Sequence, residues 1–260
     1  MKIPLYQVDA FHGKLFAGNP AAVCPLESWL PDNLLQSIAA ENNLAETAYF
    51  VSEGGQYRIR WFTPTQEVDL CGHATLASAF VLCNLLDRSR KSVTFDSRSG
   101  PLEVRKEGDR FRLDFPTREP SPCAGADQWA EALGARPEQL LAARDLMAVF
   151  ETEQQVRGLA PDMNAVARLD HFAVIVTAPG QTCDFVSRFF APGAGVPEDH
   201  ATGSAHCTLT PYWSRRLGKK QLHALQVSPR GAEFFCEDRG DRTWISGRGA
   251  LYLEGMIHLD

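Results

Sequence analysis

The sequence has no hydrophobic run long enough to cross a membrane as a helix. Its most apolar stretch, residues 72–86, is shorter than the roughly 20 residues that a bilayer requires. The first residues, MKIPLYQVDAFHGK, contain neither an apolar core nor a small-residue cleavage site, so they differ from a signal peptide. These absences predict a cytoplasmic protein with no membrane partner.

Positive charge and cysteine motifs are also scarce. The chain has 26 Lys and Arg against 32 Asp and Glu, a net charge of −6. This balance disfavours a nucleic-acid partner, because phosphate backbones attract clustered basic residues. The seven cysteines are irregularly spaced and include no CxxC pair, a pattern that suits a reducing compartment. No two Cys or His pairs have zinc-ligand spacing, so no metal site is predicted.

The sequence does contain an internal repeat. The segment FTPTQEVDLCGHATLASAF (62–80) resembles FAPGAGVPEDHATGSAHCTL (190–209). The spacing between matched turn glycines is 28 residues in both copies: Gly72 to Gly100, and Gly203 to Gly231. Two matched pairs at one spacing indicate a duplicated unit. We therefore predict two halves, 1–118 and 119–260, with the last strand able to return to the first half.

The predicted elements of the two halves are alike. Helices are expected at 31–43, 73–86 and 203–216, and Pro211 should kink or shorten the third. Strands are expected at 46–52, 57–62, 146–150, 171–177, 222–228, 233–237 and 250–259, with a hairpin turn at Gly108-Asp109. Helix 73–86 is apolar on nearly every face and is therefore buried all round. The predicted fold class is α+β, with two pseudo-symmetric barrel-like sheets, each wrapped around a central buried helix.

The two glycine-led helix starts predict a site for a carboxylate. First-turn N–H groups at Gly72 and Gly203 lack intrahelical partners and carry partial positive charge. Glycine also lets a ligand approach the backbone closely. If the halves pack with these turns facing each other, a small acid fits between them. The expected partner is a small-molecule carboxylate.

Candidate proton carriers lie close to these turns in the sequence. They are Asp69, Cys71 and His73 in the first half, and Asp199, His200, Ser204 and His206 in the second. Glu46, in NNLAETAYF, opens a strand among apolar residues. Such surroundings raise the pKa of a carboxyl group toward the range useful for proton transfer. The other interpretation of Glu46 is a strand-edge glutamate in water.

Four motifs together resemble a known family: GNPAAV (18–23), NLAETAYF (43–50), DLCGHAT (69–75) and EDHATGSAHC (198–207). They are similar in type and order to the phenazine-biosynthesis isomerase family (PhzF-like), which shares the diaminopimelate-epimerase fold. The resemblance implies an isomerase that is a homodimer and uses neither a metal nor an organic cofactor. Its active site would lie between two barrels.

The resemblance also assigns roles to individual residues. It implies that Glu46 moves the proton, supported by His73, Asp199 and Ser204. The backbone N–H groups of Gly72 and Gly203 would hold the substrate carboxylate. The remaining predicted substrate-binding residues are Cys71, Thr75 and Asn19, and a purely structural turn is an equal interpretation for Asn19.

The sequence departs from its relatives at two positions. The related epimerases use two cysteines as acid and base, one per half, but Ala201 stands where the second would be. We therefore interpret Cys71 as a pocket-lining thiol and disfavour a two-base racemase. His200 stands where the family commonly has Pro, and we predict it at the surface. An epimerase or racemase and a small-acid binding protein without turnover remain the alternatives.

Overall fold

The structure is a computed structural model that describes residues 1–259. The first part of the chain forms β1 (Lys2–Ala10), β2 (Asn19–Leu26), α1 (Asp32–Asn42), β3 (Glu46–Glu53), β4 (Gln56–Phe62), β5 (Glu67–Val68), α2 (Gly72–Val81), a π-helical turn (Leu82–Leu86), β6 (Ser92–Ser97), β7 (Gly100–Glu107) and β8 (Arg110–Pro116). The second part forms β9 (Ser121–Pro122), α3 (Ala126–Leu133), β10 (Gln139–Ala142), β11 (Leu146–Val149), α4 (Glu153–Gly158), α5 (Met163–Arg168), β12 (Val174–Pro179), β13 (Phe185–Ala191), a 3-10 turn (Pro192–Ala194), β14 (Val196–Asp199), α6 (Gly203–Leu217), β15 (Gln221–Gln226), β16 (Ala232–Asp238), β17 (Arg242–Gly247) and β18 (Gly249–His258).

The chain divides into two compact units. Unit 1 comprises Met1–Asp114 together with the segment from Ser246 onward, and unit 2 comprises Phe115–Ile245. The boundary lies close to the one predicted after residue 118. The second half was predicted at 119–260 with a last strand able to return to the first half, and β18 lies in unit 1.

Unit 1 wraps strands around α2. β1 pairs with β18 and β2, β3 pairs with β4, and β6 and β7 form a hairpin, all antiparallel, whereas β2–β3 and β4–β6 are parallel. α2 packs against β1, β2, β3, β7 and β18. Its small and apolar residues, including Ala74, Leu76 and Ala77, are completely buried. The predicted burial on nearly every face is therefore confirmed for α2, but this helix ends at Val81 and not at residue 86, and Leu86 at the end of the π-helical turn is 47% exposed.

Unit 2 has its own core and its own buried helix. β11 and β12 are parallel, β12 and β13 antiparallel, β13 and β15 parallel, and β15 and β16 antiparallel. α6 packs against β15 and β16, and α4 packs against β12 and β13. Trp213 of α6 is fully buried, stacks on Phe185 and donates its indole N–H to the Thr177 hydroxyl. Like α2, the long helix α6 is mostly buried, and it packs against the strands that follow it in the chain.

The repeat seen in the sequence corresponds to a shared structural pattern. In unit 1, β4 runs parallel to β6, with β5 and α2 between them in the chain. In unit 2, β13 runs parallel to β15, with β14 and α6 between them. β5 and β14 are both short return strands, antiparallel to the strand before them. In both units, therefore, a strand and a short antiparallel strand come directly before the helix that begins with glycine.

Further differences from prediction lie in the short elements and at Pro211. α3, α4 and α5 have eight, six and six residues, too short for a clear helical period, and were not predicted. α6 continues through Pro211 to Leu217, so the proline does not shorten it. No helix among residues 1–259 combines the length and apolar character of a membrane span. All seven cysteines are free thiols.

Candidate active site

The N-terminus of α2 holds the predicted residues of unit 1. Cys71 is the N-cap, with an extended backbone (φ −142°). The Thr75 hydroxyl and the Thr75 N–H both donate to the Cys71 carbonyl oxygen, at 2.5 and 3.1 Å. Cys71 has no side-chain oxygen to cap this helix and offers the first-turn amides only its sulfur, a weak acceptor near the Ala74 N–H. Those amides keep their capacity to bind a negatively charged group. Thr75 as a substrate contact stays a prediction.

A buried ion pair lies beside this helix start. His73 Nε2 is 2.9 Å from Glu46 Oε2, and the two side chains are 8% and 19% exposed. Glu46 begins β3, which lies parallel to β2 with Ala21 opposite Glu46. Because α2 packs on both strands, its first turn brings His73 against the start of β3. The exposed strand-edge interpretation of Glu46 is therefore wrong.

The second ring nitrogen of His73 also has neighbours. The Asn19 amide nitrogen is 3.3 Å from Nδ1, and Cys71 Sγ is 3.5 Å from Nδ1 and 3.9 Å from Nε2. Asn19 is fully buried, and Cys71 is 6% exposed. The fold thus brings four predicted site residues together from the starts of β2, β3 and α2. Asn19 therefore belongs to this cluster, and this holds whether or not it also stabilises the turn before β2.

The charges of the cluster are strongly coupled. Burial raises the pKa of Glu46, but the charge of His73 and hydrogen bonds from His73 and Cys71 outweigh it, so the pKa lies below its ordinary value. Burial lowers the pKa of His73, whereas Cys71 and Glu46 raise it well above its ordinary value. Burial and the Glu46 charge raise the pKa of Cys71. The predicted upward shift for Glu46 was wrong, because a cation lies against the carboxylate.

This arrangement pairs a carboxylate with an imidazolium and a neutral thiol. A carboxylate held by a protonated imidazole accepts a proton without changing its position. Groups whose pKa is displaced by burial and by a specific partner are concentrated at functional sites. The cluster is therefore the candidate active site of unit 1.

The N-terminus of α6 holds the predicted residues of unit 2. Thr202 is the N-cap, and its hydroxyl donates to Asp199 Oδ2 at 2.6 Å. Gln226 accepts from the Thr202 N–H at 2.8 Å and donates to the Asp199 carbonyl oxygen at 2.7 Å. Asp199, Gly203 and Ser204 thus occupy one tightly bonded turn. Their contact with a substrate stays a prediction.

Sequence reasoning missed two groups at this turn. Gln226 is a buried polar residue in β15, and its place in an alternating strand was the available signal. Arg144 donates to the Ser204 hydroxyl at 3.1 Å and to both carboxylate oxygens of fully buried Asp145, at 2.8 and 2.6 Å. The loop that carries this pair had no recognisable motif.

The remaining candidates play other parts. His206 is fully buried, lies 2.9 Å from the Thr202 carbonyl oxygen and stacks on Phe234. Burial lowers its pKa to about 4, so it is a neutral core residue. The Asp69 side chain is 75% exposed. His200 is partly buried, and its backbone carbonyl oxygen accepts from the Ser228 hydroxyl at 2.8 Å, so its place at the surface stays a prediction.

Comparison with known proteins assigns the chain to a family. The sequence profile described as "Phenazine biosynthesis-like protein" (PhzC-PhzF) matches residues 8–255. The chain belongs to the PhzF-like family. A relative in Pseudomonas aeruginosa described as an "Uncharacterized isomerase" is 51% identical over 100% of both chains. The resemblance based on the four sequence motifs is confirmed.

Solved structures agree with this assignment. A PhzF family protein of Enterococcus faecalis has a TM-score of 0.98 and 46% identity over 100% of both chains. A hydroxyproline epimerase of Agrobacterium vitis has a TM-score of 0.61 and 12% identity, covering 100% of this chain and 93% of that one. The second likeness concerns the fold alone. Together they confirm the predicted fold class for this PhzF-like chain, the one that epimerases share.

Proposed function

We propose that this protein is an isomerase that moves a proton on a small carboxylate-bearing substrate, without a metal or organic cofactor. The observation that carries the proposal is the buried Glu46–His73 pair, 2.9 Å apart, beside the uncapped start of α2. PhzF-like relatives with isomerase names support the reaction class. The proposal retains the predicted cytoplasmic location and homodimer.

Glu46 is the general acid and base in this proposal. Its carboxylate takes a proton from a carbon near the substrate carboxylate. The electron pair of the broken C–H bond moves into an adjacent double bond of the substrate. Glu46 then returns the proton to another carbon, which completes the isomerisation. His73 keeps its proton throughout, and its positive charge stabilises the Glu46 carboxylate before the first transfer and after the second, so it favours return of the proton to the substrate.

First-turn N–H groups at Gly72 hold the substrate carboxylate in this scheme, since a helix N-terminus favours negative charge. Whether Gly203, Asp199 and Ser204 contact the same substrate stays a prediction. Ser204→Ala and Asp199→Asn variants test it, because loss of turnover with intact folding is expected if both turns serve one substrate.

An epimerase is the second candidate, favoured by the contact between Cys71 and His73 at 3.5 Å. A two-thiol mechanism needs a cysteine at the start of α6. Ala201 stands there, and Cys207 lies buried within the helix. Cys71→Ser separates the candidates, because a thiol-based epimerase loses its activity whereas the Glu46 isomerase keeps most of it.

The decisive experiment is Glu46→Gln in an exchange assay. The wild-type protein is incubated in deuterated water with a panel of small cyclic and aromatic carboxylic acids, and deuterium uptake into each acid is measured. Glu46→Gln should lower exchange by about 10²–10⁴-fold, the usual contribution of a positioned acid or base. Ligand-induced thermal stabilisation should persist, because the helix start is unchanged.

Glu53→Gln is the matched control, since Glu53 ends the same strand and is exposed. Full exchange activity in Glu46→Gln would contradict the proposal. Binding of an acid by the wild-type protein without any exchange would favour the third alternative, a binding protein that lacks turnover.

A further inference from the structure

The cluster of Glu46, Cys71 and His73 has the composition of a zinc site. It offers one carboxylate oxygen, one thiol sulfur and one imidazole nitrogen, all within 4.8 Å of one another. Within residues 1–259, it is the one group of three or more such side chains close enough to share an ion. Oxygen, sulfur and imidazole nitrogen are the three ligand types that proteins use for Zn²⁺. Three protein ligands leave the fourth tetrahedral position for water.

The distances also fit. A tetrahedral Zn²⁺ ion separates its ligand atoms by about 3.3–3.6 Å, given bonds of about 2.0 Å to nitrogen or oxygen and 2.3 Å to sulfur. His73 Nε2 lies 2.9 Å from Glu46 Oε2 and 3.9 Å from Cys71 Sγ. Both distances come within about half an ångström of the tetrahedral values. The three ligand atoms lie within 4.8 Å of one another, and rotation of the Cys71 and Glu46 side chains toward Nε2 would place Nε2, a Glu46 oxygen and Sγ around one ion.

Asn19 supplies the outer partner that a zinc-bound histidine needs. Such a histidine carries its proton on the nitrogen away from the metal and donates it to a neighbouring group. The Asn19 side-chain amide lies 3.3 Å from Nδ1. Rotation of that amide about its last bond presents the carbonyl oxygen to Nδ1–H in place of the NH₂ group. The ring orientation that directs Nε2 at Glu46 is thereby kept.

From these contacts we infer that Glu46, Cys71 and His73 bind one Zn²⁺ ion per chain and that the ion inhibits the enzyme. Zinc replaces the Cys71 thiol proton and the proton held between His73 and Glu46, and both protons pass to solvent without electron transfer. The ion is a competing ligand and not a cofactor, because it occupies the Glu46 oxygen that would accept the substrate proton. Inhibition rests on the proposed function, whereas binding does not.

Zinc titration of the full-length, tag-free protein after chelator treatment tests the binding. Calorimetry should give one Zn²⁺ per chain for the wild-type protein. Cys71→Ser, Glu46→Gln and Asn19→Ala should each weaken binding by at least about tenfold, the usual effect of losing a ligand or its outer partner. Cys83→Ser is the matched control, since Cys83 is a buried thiol of the same unit outside the cluster. It should bind zinc as the wild type does.

Cobalt identifies the ligand. Co²⁺ in the wild-type protein should give the near-ultraviolet charge-transfer band of a cobalt–thiolate bond, and Cys71→Ser should lack it while Cys83→Ser retains it. Thermal unfolding of each metal-free variant shows that it is folded. No zinc binding by the wild type, or unchanged affinity and spectrum in Cys71→Ser, would overturn the inference.

The exchange assay distinguishes this inference from the proposed function. Stoichiometric zinc should abolish deuterium exchange by the wild type, and a chelator should restore it. If Glu46→Gln keeps its exchange activity, the proposed function fails while zinc binding at the cluster stands. If the wild type exchanges deuterium normally with zinc bound at Cys71, the inhibitory role fails.

Discussion

At the scale of single residues, the cluster around His73 shows how burial and charge oppose each other. Burial alone would protonate Glu46 and deprotonate His73, yet the two groups, 2.9 Å apart, shift each other's pKa in the opposite directions. Removing one partner of such a buried pair leaves an uncompensated charge, a change that typically costs about 3–5 kcal/mol. Glu46 and His73 therefore stay charged in the interior because each charge stabilises the other.

His206 predicts a loss of stability in mild acid. Its pKa in the folded protein is about 4, below the 6.5 of an exposed histidine. The unfolded chain therefore binds a proton more readily, and stability falls as the pH drops from 6.5 toward 4. At pH 5 the loss from this residue is about 2 kcal/mol. Urea unfolding of the wild type and His206→Gln at pH 7 and pH 5 measures it.

The wild type should lose more stability than His206→Gln between these two pH values. The comparison with the variant is needed because His73 acts in the opposite sense. Its raised pKa gives stability that is present at low pH and is lost as the pH rises through that value. Equal losses in both proteins would show that His206 is already protonated, or exposed, in the folded state.

At the scale of secondary-structure elements, Pro211 has a specific place in α6. A proline inside a helix cannot donate to the carbonyl four residues earlier, which here belongs to Cys207. That carbonyl oxygen instead accepts the Arg118 N–H at 2.9 Å. The carbonyl group that proline leaves without a helical partner thus binds the chain segment that follows β8 to α6.

Pro211→Ala should consequently stabilise the protein far less than helix propensity predicts. Alanine is preferred over proline by about 3 kcal/mol in a helix interior, but here the released carbonyl already has a partner. We expect a gain below about 1 kcal/mol in the free energy of unfolding, together with faster hydrogen exchange at the Arg118 amide. A gain near the full propensity difference, with unchanged Arg118 protection, would contradict this explanation.

At the scale of the whole molecule, each unit depends on strands that are distant in the sequence. β18 pairs antiparallel with β1 from Lys2 opposite His258 to Ala10 opposite Gly249, so the two ends of the chain complete one unit. Removing β18 exposes the backbone groups of β1 and one side of the α2 core.

A chain truncated after Ile245 should therefore lose the structure of unit 1 selectively. Hydrogen exchange should become fast in β1 and α2, whereas β12 and α6 of unit 2 keep their protection, because unit 2 has its own core. A chain lacking only Asp260 is the control and should keep protection in both units. Retained protection of β1 after the truncation would contradict the assignment of β18 to unit 1.

The larger elements of the fold were predictable from local patterns. Alternation in residues 46–52 identified β3, and the all-apolar segment identified α2, because each pattern extends over enough residues to be recognised. Six-residue helices such as α4 and α5 leave too few turns for such a period. The homodimer implied by the family stays a prediction that sedimentation can test.

Residue order alone was enough for the duplicated unit, the two glycine-led helix starts and the family, because each depends on spacings within a short segment. The arrangement and the charges of the site residues, by contrast, depend on the tertiary structure. Asn19, Glu46 and His73 are far apart in the chain and meet because β2 and β3 pair in parallel and α2 packs across both. Distances of a few ångströms set the charges of Glu46 and His73 and bring Cys71 into reach of them, and no local pattern encodes those distances.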